Sequence, residues 1–452
     1  MMPSKFAFWF IFALPFHAFF SYANGQVFNE TLKIIAKDSQ PNDQFGFSIA
    51  MDQGIIAIGA PFDSKNGTSS GSAYLFDASS GVQLAKLKPD GAVAGSQFGF
   101  SIDIHNGLVI VGAPLDEHNG MASGAAYIFD ASTGVELGKL VSADAEYGDE
   151  FGYSVAIDSG MVAVGAIRDG DLGDSSGAAF LFDSETGVQL EKLVPNTGAA
   201  NQTFGISIAM EDGIVAVGSR TYFVLGEGFT FATAYLFDAT NGDQLHAFES
   251  QNVNGDQGGG FSESIGIDNG LVAVGAWARS IFFDHSGAAY VFNAKNGSQL
   301  HYIFPQDGHD RDNFGQSVAI NNGRVAMGAP QDDDTGFNSG SAYIFDASSG
   351  NQLKKLLASD GADFDEFGSS IAIYNNLVAV GAPRANDETG AVYVYFAFII
   401  GDVNQDGAVD LLDVQPFVFL LAKGQFQSEA DINGDGNVNL LDVDGFIEIL
   451  TS

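Results

Sequence analysis

The sequence predicts an all-β protein, a seven-bladed β-propeller of four-stranded blades, followed by a small α-helical domain with EF-hand-like loops. Two observations predict the propeller: a unit of about 53 residues occurs seven times, and each copy contains four short β-type segments. A third observation predicts the second domain, because the repeat stops near residue 396 and a duplicated acidic pattern follows. The predicted bounds are 32–396 for the propeller and 401–452 for the C-terminal domain.

Two motifs held in register mark the repeat. A Phe-Gly pair, degenerate as Phe-Ser in the fifth copy, is followed about fourteen residues later by Gly-Ala-Pro or a variant of it. The Phe residues of the seven pairs are Phe45, Phe98, Phe151, Phe204, Phe261, Phe314 and Phe367. Two marks in register over seven copies indicate a structural repeat.

The first copy shows how one blade is built. Residues 45–52, 55–60, 72–78 and 83–88 have the composition of β-strands, and the turns between them are rich in Gly, Asn, Asp and Ser. The second strand is apolar on both faces, as expected for a strand buried between blades. The seventh copy has no fourth strand, whereas residues 31–35 precede the first copy and belong to none. We therefore expect the N-terminal strand to complete blade seven and close the ring.

The predicted strand order divides the loops between two faces. We call the side with the turns after strands one and three the turn face, and the side with the longer loops after strands two and four the loop face. The loop face is variable and strongly acidic, so any propeller ligand is expected to bind there. The acidic loops also have a simpler interpretation, which is that they keep an exported protein soluble.

The loops after strand two of blades four and five break the pattern because they are rich in aromatic residues. Aromatic rings beside Arg are what a sugar ring or a protein hot spot would use, although the rings could equally brace two long loops. The candidate ligand-binding residues are Arg220, Tyr222, Phe223, Phe229, Trp277, Arg279, Phe282 and Phe283.

Catalysis is not expected of this sequence, and no catalytic residue is assigned. The carboxylates are not marked out by a partner His, Lys or nucleophile, and the His residues occupy unrelated repeat positions. There is no Ser-His-Asp set, phosphate loop or HExxH motif. If the protein is nevertheless an enzyme, the expected class is a hydrolase of glycosidic bonds.

Composition and the N-terminus predict an exported protein. The chain of 452 residues has 56 acidic and 18 basic residues, a net charge of -38, which argues against nucleic acid as a partner. It contains no Cys, so disulfides and thiolate metal sites are excluded. Residues 1–23 have the charged start, apolar centre and small-residue end of a signal peptide, with an uncleaved anchor as the alternative. No span is predicted in the mature chain, and secretion or display on the cell surface is expected.

The C-terminal pattern consists of two twelve-residue loops with oxygen-bearing side chains at positions 1, 3, 5, 9 and 12 and Gly at position 6. A hard cation that needs six or seven oxygen ligands requires this spacing, with position 7 supplying its backbone carbonyl. We therefore predict two Ca²⁺ ions. The predicted ligands are Asp402, Asn404, Asp406, Ala408, Asp410 and Asp413 in the first loop and Asp431, Asn433, Asp435, Asn437, Asn439 and Asp442 in the second.

The Phe-Gly and Gly-Ala-Pro repeats resemble the FG-GAP family, whose best-known members are the seven-bladed propellers of integrin α chains. In that version the hairpin between strands one and two carries an Asp-rich calcium loop. Here the same places hold tight turns such as Asp52-Gln53-Gly54 and Asp158-Ser159-Gly160, in which Gly supplies positive φ. Calcium is therefore not expected in the blade hairpins.

The C-terminal loops and the apolar segments after them resemble a type I dockerin, the duplicated calcium module that anchors exported enzymes of polysaccharide breakdown to cohesin domains. The resemblance implies a cohesin-like or envelope protein as partner. Apolar residues occupy the loop positions that a dockerin uses for partner contact, and they could instead face the module's own core. The candidate partner-binding residues are Leu411, Leu412, Leu440 and Leu441.

Three functions remain open at this stage. The first is an exported calcium-binding adhesion or interaction protein, whose propeller face binds a protein or glycan and whose C-terminal module attaches it to a surface or assembly. The second is a component of extracellular polysaccharide degradation, either catalytic or accessory. The third is a purely structural envelope protein.

Overall fold

A computed structural model describes most of the propeller region and a few residues beyond it. The described residues are 30–220, 232–249, 259–278, 285–396, 414, 421, 430, 438, 442, 443, 446, 447 and 449.

Seven four-stranded antiparallel sheets form the propeller, and the strands of blades one to six follow sequence order within each sheet. The N-terminal strand β1 spans Leu32–Ile34. Blades one to three contain β2–β5 (Ser48–Asp52, Ile55–Ala60, Ser72–Asp77, Gln83–Leu87), β6–β9 (Ser101–His105, Leu108–Ala113, Ala125–Asp130, Glu136–Leu140) and β10–β13 (Phe151–Asp158, Met161–Ala166, Ala178–Asp183, Gln189–Leu193). Blades four and five contain β14–β17 (Ile208–Glu211, Ile214–Ser219, Thr233–Asp238, Gln244–Glu249) and β18–β21 (Phe261–Asp268, Leu271–Ala276, Ala288–Asn293, Gln299–Ile303). Blades six and seven contain β22–β25 (Ser317–Asn321, Arg324–Ala329, Ser341–Asp346, Gln352–Leu356) and β26–β28 (Ser370–Tyr374, Leu377–Ala382, Ala391–Phe396).

The ring closes as the sequence predicts. Strand β1 is the fourth strand of blade seven, in the sheet order β1-β28-β27-β26, and Ile34 is paired with Val392. The hydroxyl of Ser370 in blade seven donates a hydrogen bond of 2.6 Å to the carbonyl of Gly46 in blade one. The two ends of the propeller sequence are therefore joined through both a shared sheet and a contact between blades.

The Phe-Gly and Gly-Ala-Pro marks hold neighbouring blades together. Phe45 is fully buried, and its ring lies 5.5 Å from that of Tyr74 on the third strand of its own blade. Gly59 approaches the next blade so closely that a Cβ there would lie 2.0 Å from the carbonyl oxygen of Gly99. A side chain at Gly59 would therefore force the blades apart.

The start of the first strand differs from the sequence-based prediction in blade one. The strand begins at Ser48 instead of Phe45, and Gly46, with φ of 92°, lies between these two residues. Phe45 instead forms an isolated parallel bridge with Gly390 of blade seven. In blades three and five the first strand does include the repeat Phe, Phe151 and Phe261.

The last strand sets where the chain leaves the propeller. Strand β28 is antiparallel to β27, and its final residue, Phe396, is paired with Leu377, which follows the tight turn after β26. Phe396 is therefore on the turn face, and the long loops lie at the opposite end of the strands. The described residues contain no helix long and apolar enough to cross a membrane.

Candidate binding face and C-terminal calcium module

The acidic loop face is built around lysines of the fourth strands. In blade one, Lys86 Nζ lies 2.8 Å from a carboxylate oxygen of Asp38 and 2.7 Å from one of Asp63. The hydroxyl of Tyr74 donates to the same two carboxylates at 3.1 Å. We call this arrangement a carboxylate cage. It joins the loop before the blade to the loop after its second strand.

The cage changes the acidity of its carboxyl groups. Burial would raise the pKa of Asp63, but hydrogen bonds from Lys86 and the backbone outweigh it, so the pKa is lowered. The same opposition at Asp38, where Lys65 and Lys86 donate, lowers the pKa to about 2. Both acids are therefore ionised at neutral pH and are held by ammonium groups of the chain itself.

Blades two, three and six have variants of the cage, with one acid at the lysine in blade two and Phe180 in place of the tyrosine in blade three. Lys139 Nζ lies 2.9 Å from Asp116, and Tyr127 donates to the same carboxylate. In blades three and six the ammonium group meets three carboxylates at 2.6–3.0 Å, Lys192 with Asp144, Asp169 and Asp171, and Lys355 with Asp307, Asp332 and Asp334. The expectation that no Lys marks out the acids was wrong. The signal was available in the sequence, because Lys recurs at one position of the Gln-Leu-x-Lys-Leu strand.

The cages also account for the one cluster of acids that could suggest a metal ion in the described residues. Carboxylate oxygens of Asp144, Asp169 and Asp171 lie within 4.8 Å of one another. Lys192 Nζ is 2.6–2.8 Å from each of these carboxylates, so its ammonium group already supplies the positive charge. This cluster is a structural ion network that joins two loops.

Blades four and five lack the cage lysine. Ala247 and Tyr302 occupy its position in the fourth strands, as the pairing of these strands with Tyr235 and Tyr290 shows. The Tyr302 ring packs 5.0 Å from that of Tyr290 in place of an ion pair.

Two of the candidate ligand-binding residues meet at one acid on the loop face. Arg220 Nη1 lies 2.8 Å from Glu263 Oε1, and Trp277 hydrogen-bonds the same Glu263. Burial raises the pKa of Glu263, with the charge of Arg220 acting in the opposite direction. The Trp277 ring also packs against Gly260. These contacts support the bracing interpretation for Arg220 and Trp277, and Glu263 is the residue that the sequence analysis missed.

The other candidates of these two loops lie outside the described residues. Their ligand-binding role stays a prediction, and they are Tyr222, Phe223, Phe229, Arg279, Phe282 and Phe283.

The expectation that the His residues occupy unrelated repeat positions was also wrong for two of them. His246 and His301 occupy the same position in the fourth strands of blades four and five, so they are not at unrelated repeat positions. Their Nε2 atoms lie 3.2 Å from the carbonyl oxygen of Lys295 and 2.8 Å from that of Ser348, each in the following blade. They link neighbouring blades at the outer edge.

Polar side chains on the turn face form hydrogen bonds between the hairpins of neighbouring blades. A carboxylate oxygen of Asp52 accepts a hydrogen bond from the backbone N–H of Asn106 in the next hairpin at 2.7 Å, and Asp158 accepts one from Asp212 at 3.0 Å. The last acid of a first strand therefore clamps the hairpin of the following blade.

One of the predicted calcium ligands, Asp442, is described. It is fully buried, and its backbone carbonyl accepts a hydrogen bond of 2.9 Å from Phe446, which is one turn of helix. Ala430, Val438 and Phe446 form a small apolar core in the same module. A buried acid at position 12, where a helix begins, fits a ligand for a hard cation.

The remaining predicted ligands and partner-contact residues of the C-terminal module lie outside the described residues. They are Asp402, Asn404, Asp406, Ala408, Asp410, Asp413, Asp431, Asn433, Asp435, Asn437 and Asn439, with Leu411, Leu412, Leu440 and Leu441.

Comparison with protein families agrees with this architecture. The family model of the FG-GAP repeat matches residues 28–76, 82–129, 135–182, 298–345 and 351–395, more than half of the chain. The dockerin type I domain matches residues 400–450. The protein is thus a seven-bladed propeller with a dockerin type I domain at its C-terminus, and domains of this type bind calcium and cohesins. More particularly, the chain belongs to the FG-GAP repeat family.

The matched FG-GAP segments do not include residues 183–297, which hold most of blade four and blade five. These are the blades in which Ala247 and Tyr302 replace the cage lysine. No curated protein matches the chain.

Proposed function

We propose that this is an exported binding protein: its dockerin module, loaded with two Ca²⁺ ions, attaches it to a cohesin-like or envelope protein, and the loop face of its propeller binds a protein or glycan. The observation that supports this is the face of the propeller on which the chain leaves the last blade. Phe396 leaves the last blade on the turn face, so a partner held by the module need not cover the long loops at the other end of the strands.

Export is part of the proposal and rests on the N-terminal sequence. Residues 1–23 have the pattern of a signal peptide, and a chain without Cys needs no particular redox compartment to fold. A secreted or surface-held protein with a calcium module would fold that module in the calcium-rich exterior.

The calcium proposal is tested on the full chain. The propeller contributes almost no helix, so the helical far-UV circular dichroism signal should report on the module and should fall in excess chelator. Titration calorimetry should give two calcium ions per chain, and Asp442→Ala should remove one of them. Unchanged circular dichroism and no calcium heat would overturn the proposal.

Attachment is tested by capture with the full chain as bait, in calcium and in chelator, from envelope and secreted fractions. We expect a cohesin-like protein to bind with calcium only, and Asp442→Ala to weaken its binding. A partner retained equally in chelator would contradict calcium-dependent docking.

Extracellular polysaccharide degradation is a second candidate, favoured by the dockerin type I match. In this case we expect an accessory role, with the aromatic loops of blades four and five holding a glycan. Co-sedimentation with insoluble polysaccharides should then show binding that Trp277→Ala abolishes while the variant is still folded at the assay temperature. Loss of stability alone would leave Trp277 as a bracing residue.

A further inference from the structure

Blade seven lacks the buried acid of the carboxylate cage. Its loop after strand two has eight residues, 383–390, whereas the corresponding loop of blade one has eleven, 61–71. Ala385 stands where Asp63 stands in blade one, since the carbonyl of each accepts a 2.9 Å hydrogen bond from the Gly that ends its loop. The cage of this blade therefore consists of Lys33, Tyr393 and one acid, Asp360.

Beside this shorter loop the loop face has a cavity of about 620 Å³, lined by the loop itself, by Lys33 and by the loop that leads into blade seven. We call it the notch. Its positive groups are already paired, Lys33 with Asp360 at 2.6 Å and Arg384 with Glu366 at 2.8 Å. Its remaining charged lining is acidic and consists of Asp363, Asp365, Asp387 and Glu388. The notch therefore favours a cationic occupant.

An exposed pair of aromatic rings stands at the edge of the notch. Phe364 and Phe337 are 51% and 55% exposed, and their rings lie 5.2 Å apart in an edge-to-face arrangement. The backbone N–H of Phe364 donates to the carbonyl of Phe337 at 2.7 Å, which fixes one loop to the other. Two adjacent rings left in solvent on a protein surface are typical of a contact site.

The backbone conformation of Phe364 is one that smaller residues adopt more readily. Its φ is 68°, in the left-handed region, where a bulky side chain is uncommon. The same position before the repeat Phe is also left-handed in the other described copies, where Asn42, Gly95, Gly148, Asn201 and Arg311 occupy it. Burial does not compensate for this conformation, because half of the side chain is in solvent.

We propose that the notch binds an arginine side chain of a partner protein, with an apolar neighbour of that arginine packed on Phe337 and Phe364. A guanidinium group is planar, so it can stack on an aromatic face while it pairs with carboxylates such as Asp387 and Glu388. The volume is in the range that accommodates a few side chains. This inference rests on the binding role proposed for the loop face and names the partner chemistry for it.

The test uses the full-length protein with calcium and a display library of random seven-residue peptides. We expect enriched peptides to carry Arg beside an aliphatic or aromatic residue. Replacing that Arg by citrulline, which has nearly the same shape but no charge, should weaken binding at least tenfold. Asp387→Asn combined with Glu388→Gln should have an effect of similar size.

Phe364→Asn separates a contact role from a structural one. Asn is the residue at two equivalent positions, Asn42 and Asn201, so the variant should melt at the same temperature as the wild type or higher and bind about tenfold more weakly. Met121→Ser is the matched control, because Met121 occupies the loop position in blade two that Phe337 occupies in blade six and is also 55% exposed. It should leave binding unchanged.

Several results would overturn the proposal that the notch binds arginine. One is a library that enriches no Arg, and another is a Phe364→Asn protein that binds normally or melts at a lower temperature. Peptides that bind all notch variants as tightly as the wild type would also exclude the notch as the binding site. They would leave the binding role of the loop face in place. Binding of neutral cello-oligosaccharides that Phe364→Asn abolishes would assign the notch to glycan and would contradict the protein partner proposed here.

Discussion

Blades six and seven are neighbours with the same four-strand frame, yet their loop ends are used differently. In blade six, Lys355 is 11% exposed and holds three carboxylates, one of them the buried Asp332. In blade seven, Lys33 is 22% exposed and pairs with Asp360, which is 54% exposed. The lysine at this position thus joins the loops of blade six through three ion pairs, whereas in blade seven it makes one ion pair and lines the notch.

The difference shows which part of the repeat carries structure and which part is free to vary. The contacts between blades are alike in both, since Ser317 and Ser370 each donate to a backbone carbonyl of the following blade. The ion network is not needed for the ring, because blades four, five and seven form four-stranded sheets without a complete cage. Loop ends can therefore diverge while the frame is retained.

The largest expected effect comes from removing the cage lysine of blade six. Lys355→Met leaves the carboxylate of Asp332 buried without its ammonium partner and should lower the free energy of unfolding by about 3–5 kcal/mol. Lys33→Met breaks a solvent-exposed pair and should cost roughly 1 kcal/mol or less. Urea or thermal unfolding measures both.

If both variants lost the same free energy of unfolding, the lysines of blades six and seven would not differ in their contribution to stability. The double variant Lys355→Met with Asp332→Asn is the control, because it removes the buried charge and should recover part of the lost stability.

A smaller effect is expected from rebuilding the cage in blade seven. Ala385→Asp places a carboxylate where blades one, two, three and six have one, and Lys33 should pair with it. The free energy of unfolding should change by about 1 kcal/mol or less, because the new pair gains hydrogen bonds but must be desolvated. A much larger loss of stability would show that the shorter loop of blade seven has no room for the acid.

The smallest effect is a pH dependence of opposite sign in the two kinds of acid. The pKa of Asp38 in the cage of blade one is lowered to about 2, so its stabilisation is present above the unfolded value near 3.9 and is lost as pH falls toward 2. Burial raises the pKa of Asp365 at the notch, so ionisation destabilises the fold increasingly as pH rises above about 4.

Unfolding of Asp38→Asn and Asp365→Asn between pH 2 and 7 tests the two signs. Relative to the wild type, Asp38→Asn should be less stable at neutral pH and should become equal at low pH. Asp365→Asn should gain relative stability as pH rises. The difference at Asp38 should be about 1 kcal/mol or less, since solvent screens this partly exposed group. The same sign in both series would refute the distinction between these two acid positions of the repeat.

Part of the candidate site could be predicted from the sequence. The repeat placed Arg220 and Trp277 at corresponding positions of adjacent blades, and the structure brings both to Glu263. The acid itself was not predicted, because the other blades place residues such as Phe47, Phe100 and Tyr153 at its position. A single substitution within a repeat gains its meaning only from the neighbouring blade that it contacts.

The sequence by itself determined the number of blades, the four strands of each and the closure by residues that precede the first copy. These features follow from a period and an alternation that lie within about 53 residues. The sequence marks the recurring lysine of the fourth strands, but only the tertiary structure decided which acids each lysine meets and where the notch lies. Lys86 meets acids that lie 48 and 23 residues away along the chain, and the notch brings Lys33 together with residues more than 300 positions later. Pairing between distant loops depends on how the blades pack, which a local pattern does not encode.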